Sequence, residues 1–147
     1  MTLSPKRLQR LVRHRERLER LQEERLAEAR QQHRRREGAL AETEARRDGL
    51  YQSGAPASGA VDPSEWQSAG AYLVRLRREI GARKAALAHS AETVEGERRE
   101  LMERRRDVKA IETLLDHRLQ DERVLASRAD IKRIDELAGR RWIDQQP

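Results

Sequence analysis

The sequence predicts an all-α protein, an antiparallel two-helix coiled-coil hairpin with an overhanging C-terminal helix. Three observations carry this expectation. Trp66, Leu73, Ile80, Leu87, Val94, Leu101, Val108 and Leu115 recur every seven residues without a break, which is the spacing of a helix winding against another helix. No proline interrupts the chain between Pro63 and Pro147. A short stretch rich in glycine, serine and proline, from Gln52 to Val61, separates this column from an earlier amphipathic segment. Composition agrees. Charged residues make up 39% of the 147 and aromatics 3%, with no phenylalanine, so the chain can bury a narrow apolar stripe but not a thick interior. A disordered chain would share that low hydropathy, but the unbroken column and the near balance of 32 basic against 26 acidic residues favour ordered helices.

Taken in order, the whole chain, residues 1–147, reads as a single coiled-coil domain with helix 1 over about 5–49, a loop over about 50–62 and helix 2 over about 63–141. Ser4 is placed to cap the first helix, with Pro5 at its first position. Leu8, Leu11, Val12, Leu18, Leu21 and Leu26 fall on one helical face, and the stems of Arg15 and Arg25 can lie along the seam. The apolar face thins from Gln31 to Glu37 and returns at Ala39–Ala41, and the helix is expected to fade near Gly49. Helix 2 opens on Asp62-Pro63-Ser64-Glu65, a cap, a first-turn proline and a capping-box acid in sequence. Trp66 is expected to pack at the hairpin end. If Leu50 faces Pro63, Leu8 reaches Arg105. Helix 1 would span roughly 65 Å and helix 2 roughly 115 Å at ~1.5 Å per residue. Val108, Ile111, Leu115, Val124, Leu125, Ile131, Ile134 and Leu137 would then lack a partner within the chain, and an exposed apolar stripe rimmed by charge marks an interaction site.

Little in the sequence points to chemistry. There is no cysteine, hence no disulfide framework or thiol nucleophile. His14, His33, His89 and His117 lie far apart without a metal-ligand spacing, and read as solvent-facing. Gly54 and Gly59 have the spacing of a phosphate loop, but Ala60-Val61 stands where the lysine and hydroxyl residue would be needed. The carboxylates are spread beside arginines, and no serine sits in a nucleophile elbow. The expectation is a non-enzyme with no cofactor and no metal.

The net charge of +6 is uneven. Residues 1–50 carry 14 basic against 9 acidic groups, and residues 62–147 carry 18 against 17. The densest basic clusters, Arg34–Arg36 and Arg104–Arg106, are flanked by acids and have no neighbouring aromatic. They read as a solvated or protein-binding face rather than a nucleic-acid groove. No apolar run reaches the ~20 residues of a membrane span, and no signal peptide opens the chain. A cytoplasmic protein, peripheral to the membrane at most, is expected.

Several stretches resemble the flagellar export protein FliJ family. They are Ser64-Glu65-Trp66, Tyr72-Leu73 with Leu76 and Ile80, Glu103-Arg104-Arg105-Arg106 through Leu114, and the ending Ile131-Lys132-Arg133-Ile134-Asp135-Glu136-Leu137-Ala138. Most of the similarity lies in residues 62–141, while residues 1–50 match in general character. The resemblance implies a stalk-like and chaperone-like component of the bacterial flagellar type III export apparatus, located at the cytoplasmic side of the inner membrane. Its implied partners are the export ATPase hexamer, the export gate membrane protein and export chaperones. The gate-contacting face would map to Tyr72, Leu76, Glu79 and Arg83, beside the leucine seam, with Glu79 standing where the family has a small residue. Leu8, Leu11, Ile131 and Ile134, with Arg128, Lys132 and Arg133 nearby, form the expected ATPase-binding set. The stalk protein of a virulence-type secretion system, of YscO type, shares this shape. A structural coiled coil that dimerises in parallel through helix 2, or a basic nucleic-acid-binding rod, stands as the alternative from another class.

Overall fold

The computed structural model describes residues 3–53 and 62–147. Two helices account for nearly all of them, α1 (Pro5–Ser53) and α2 (Pro63–Asp144), with no strand among the described residues. The fold is the expected all-α coiled coil of antiparallel helices. The connecting residues 54–61, including the Gly54–Gly59 spacing, lie outside the described residues.

Both helix starts follow from local chemistry. The Ser4 carbonyl accepts from the amides of Arg7 and Leu8, both at 3.0 Å, and Pro5 needs no donor partner at the first position. At α2 the Asp62 carboxylate accepts from the Ser64 amide at 3.0 Å while its carbonyl takes the amides of Glu65 and Trp66. The side chain thus satisfies one of the amides that a helix start leaves free. That backbone hydrogen bond, with the Ser64 side chain adding to it, holds the Asp62 carboxyl below its usual range.

The chain divides into two compact units, Met1–Arg20 with Glu103–Pro147, and Leu21–Met102. In the second unit, Gln22 meets Glu97, His33 meets Ser90, Arg36 meets Ala86, Glu44 meets Lys84 and Tyr51 meets Arg77. Partner numbers fall along α2 as they rise along α1, so the two segments run antiparallel. Leu26, Leu76, Ile80 and Leu101 are its buried apolar side chains, supported by half-buried Leu40, Leu50, Leu73, Leu87 and Val94. The first unit repeats the arrangement. Arg15 pairs with Asp107 at 3.4 Å and Arg105 with Glu19 at 3.2 Å, over buried Leu8, Val12 and Val108.

Burial in α1 alternates by four and three residues. The positions that follow it are Leu8, Val12, Arg15 and Glu19 in the first unit, with Glu16 and Leu18 half-buried beside them. In the second they are Gln22, Leu26, Ala29, His33, Arg36, Leu40, Thr43, Arg47 and Leu50, with Ala39 and Glu44 half-buried beside them. This is the a/d pattern of a heptad repeat. In α2 the leucine column has a companion three residues on: Leu76, Arg83, Ser90 and Glu97 in the second unit, Arg104, Ile111 and Arg118 in the first.

The register differs from the expected one. His33 meets Ser90 and Arg36 meets the Ala86 carbonyl, so the end of α1 lies level with about Tyr72 and not with Pro63, and the long Arg77 side chain reaches back to donate to Tyr51 at 2.7 Å. In the first unit Arg15 faces Asp107, which puts Leu8 level with about Leu114 rather than Arg105. Val108 is therefore buried, and Ile111 and Leu115 are half-buried instead of unpartnered. Helix α1 continues past Gly49 to Ser53 because Leu50 still reaches the seam and the Ser53 hydroxyl donates to the Gly49 carbonyl at 2.9 Å. Trp66 is 57% exposed and does not pack as the expected hairpin-end residue. Leu11, Leu21 and Arg25 are exposed too. The heptad seam is narrower than the face on which these residues were grouped, and each falls one residue to the side of a covered position.

Two outcomes test this architecture. Leu76→Ala, at 2% exposure, is expected to lower unfolding free energy by about 2–5 kcal/mol, whereas Leu21→Ala, at 52% exposure, changes it by no more than about 0.5 kcal/mol in denaturant titration. Asp62→Ala is expected to speed amide exchange at Ser64 without affecting the seam. Because the folded Asp62 carboxyl titrates below its unfolded value, its contribution is present above the unfolded pKa. It is lost as pH falls through the folded one, so the two proteins converge in strong acid.

Candidate functional site

The seam is unusually polar for a coiled coil, and its polar groups find one another. The Gln22 side-chain amide donates to the Glu97 carbonyl at 3.0 Å and to the Glu97 carboxylate. His33 Nδ1 lies 2.6 Å from Ser90 Oγ, and that hydroxyl is also 2.9 Å from the Leu87 carbonyl. With the serine proton committed to Leu87, the hydroxyl oxygen accepts from the imidazole. His33 Nε2 lies 3.3 Å from Glu37, one turn on. Arg36 donates to the Ala86 carbonyl at 3.0 Å. Thr43, buried at the centre of the pattern, turns its hydroxyl back to the Ala39 carbonyl at 2.8 Å. His33 is thus a seam residue and not the solvent-facing one expected. The two arginine clusters also serve the seam: Arg36 bonds across it, Arg104 is half-buried, and Arg105 pairs with Glu19.

Two surfaces stay uncovered. Every residue from Gln120 to Pro147 is exposed, although Val124, Leu125, Ile131, Ile134, Leu137, Trp142 and Ile143 lie among them. Asp62 to Tyr72 are likewise exposed, with the Arg75 guanidinium 5.9 Å from the centre of the Tyr72 ring.

The structure separates the residues of both expected partner-binding sets. In the ATPase set, Leu8 is fully buried and is part of the core. Leu11 is exposed, as are Arg128, Ile131, Lys132, Arg133 and Ile134. Leu8 lies level with about Leu114, which is some 25 Å along the helix from Ile131 at ~1.5 Å per residue. The termini therefore contribute two separate patches within the first unit. In the gate set, Tyr72 is exposed and Leu76 is a core side chain. Glu79 and Arg83 are half-buried and joined to each other by hydrogen bonds of 2.7 and 3.0 Å. Leu76 and Arg83 stand in the second seam column, not beside the seam.

Among the described residues no group of histidine, cysteine and carboxylate side chains could hold a metal ion, and no helix is long and apolar enough to cross a membrane. A family model described as Flagellar FliJ protein matches residues 5–147. The chain belongs to the FliJ family. No match is found among curated proteins or among solved structures. FliJ family membership makes the protein a component of the flagellar type III export apparatus, in a family that is structural and chaperone-like rather than enzymatic. The match extends over α1, where the sequence had offered only general character.

The His33–Ser90 contact is testable as a pair. In a double-mutant cycle of His33→Ala and Ser90→Ala, a coupling of about 0.5–1.5 kcal/mol is expected from denaturation. Strictly additive losses would mean that the two side chains do not bond.

Proposed function

We propose that this FliJ family protein acts as a stalk-like factor that binds the hexameric export ATPase through the C-terminal part of α2. One observation carries the reading: the exposed run from Gln120 to Pro147 keeps Ile131 and Ile134 at 56% and 64% exposure. Contiguous apolar surface rimmed by charge is costly to leave in water and suits a protein partner. Arg128, Lys132 and Arg133 flank that pair and supply cations for an acidic rim. Leu11 adds a separate patch on α1. The export gate protein is taken by the exposed start of α2, with Tyr72 as its anchor and the Glu79–Arg83 pair as its polar edge. Export chaperones are handled by the same molecule. The protein works in the cytoplasm, peripherally associated with the apparatus at the inner membrane.

The expected result is co-elution of the purified protein with the export ATPase and an increase in ATP hydrolysis. Ile131→Asp or Ile134→Asp should abolish co-elution, because each would bury an unpaired charge in the contact. Both positions are exposed in the single chain and make no contact with α1, so helix content by circular dichroism should be unchanged. Unaltered hydrolysis with no co-elution of the unmodified protein would overturn the assignment.

A further inference from the structure

The exposed run carries a second heptad stripe of its own. Val124, Ser127, Ile131, Ile134 and Ala138 follow a 3-4-3-4 spacing. Four of the five are apolar, and Ser127 is small, with a hydroxyl that can turn back to a carbonyl of its own helix. The seam columns do not lead into this stripe. Continued by sevens, Leu115 and Arg118 give Glu122, Leu125, Ala129 and Lys132, a mixed row. The new stripe is displaced by two residues from that row, roughly 200° around the helix at ~3.6 residues per turn. It faces almost directly away from the side that α2 turns to α1 in this unit. All five residues are exposed.

The charges beside the stripe select its occupant. With Val124, Ile131 and Ala138 as one column and Ser127 and Ile134 as the other, the flanking positions are Arg123 and Asp130 on one side, Arg128 and Asp135 on the other. A parallel pair of such helices would set Arg123 against Arg128 and Asp130 against Asp135, like charge on like. An antiparallel pair in which Ile131 of each copy meets Ile134 of the other behaves differently. It sets Arg128 against Asp135 twice by symmetry, and Arg123 against Asp144 twice. Flanking charges of this kind fix orientation and register in coiled coils, and a two-fold interface must be self-complementary. The same register brings Ser127 of each copy onto Ala138 of the other, and two small side chains in apposition allow close approach of the helices. Among the described residues, none of these five charged side chains forms an ion pair within the chain.

We propose that this stripe is occupied by a second copy of the chain, giving an antiparallel homodimer centred between Ile131 and Ile134. The pairing is a property of the isolated protein and does not rest on the ATPase reading. Where both hold, the two partners compete for the same isoleucines.

The full-length protein, studied by sedimentation equilibrium over a concentration series at low salt, is expected to pass from one to two chain masses. Asp135→Arg should weaken the dimer about ten-fold, because two attractive contacts become repulsive. Arg128→Asp combined with Asp135→Arg should restore it. Orientation is read by disulfide formation, since the chain has no native cysteine. An equimolar mixture of Ser127→Cys and Ala138→Cys chains should cross-link, and Ser127→Cys alone should not. A monomer at all concentrations, a failure of the charge swap to restore pairing, or cross-linking of Ser127→Cys with itself would each overturn the proposal. None of these outcomes depends on the ATPase, so they leave the co-elution test to stand or fall separately.

Discussion

The hydrogen-bonded polar contacts across the helix pair in Leu21–Met102 fix how that unit can assemble. A leucine column that repeats every seven residues is indifferent to a slip of one heptad, because the same apolar row meets the same apolar row again. Gln22 with Glu97 and His33 with Ser90 are not indifferent. A slip of seven would bring His33 opposite Arg83 or Glu97 and leave the Ser90 oxygen without its imidazole donor. Gln22 would meet Ser90 or Arg104 instead of a carboxylate and carbonyl arranged to accept from it. Buried polar groups that lose their partners cost more than the partners contribute when present. A net gain in stability is not required for such pairs to set register.

That arrangement has an energetic consequence. On α1 most covered positions in this unit are polar or small, so apolar burial there rests on Leu26, Leu40 and Leu50, the last two only half-buried. Each heptad thus contributes little, and stability must accumulate over many turns. The length of α1 and the pairing in both units are what make the helices viable. The first unit follows the same rule with Leu8, Val12 and Val108 buried and ion pairs at Arg15–Asp107 and Glu19–Arg105 on its flanks. Those pairs are partly exposed and screened by water and salt, so they serve alignment more than stability.

The leucine column from Leu73 to Leu115, the helix start at Asp62 and the antiparallel class were all legible in the sequence, because apolar periodicity and capping chemistry are local. The second column was not. Leu76, Arg83, Ser90, Glu97 and Arg104 alternate too freely in polarity to register as one buried row. For the same reason His33 read as a surface residue and Leu76 as part of an outer face. Register was also beyond reach. Closing the connection tightly placed Leu50 against Pro63, whereas the pairing of His33 with Ser90 and of Arg36 with Ala86 moves the helices by about two and a half turns. Of the residues expected to meet the ATPase, Leu8 lies in the core, while Ile131 and Ile134 are exposed. The clue to the missed row was available in its offset. Three residues beyond each member of a heptad column lies the other half of the seam, whatever its polarity.

Within the unit that contains it, the C-terminal part of α2 shows how one helix can keep folding and recognition apart. As far as Arg118 its covered residues in this unit obey the leucine column and its companion, with half-buried Leu119 beside them. Beyond that point the β-branched residues Val124, Ile131 and Ile134 stand on the opposite side, and the old columns become Glu122, Leu125, Ala129 and Lys132. A partner laid on Val124, Ile131 and Ile134 therefore approaches a side that the intramolecular pairing does not use. It need not displace α1 to bind, so recognition costs no seam hydrogen bonds. Had the apolar row continued straight on from Leu115, any partner would have competed with the chain's own first helix by sliding along a common groove. A two-residue shift in phase removes that competition, and it is written in the spacing of a few small and branched residues.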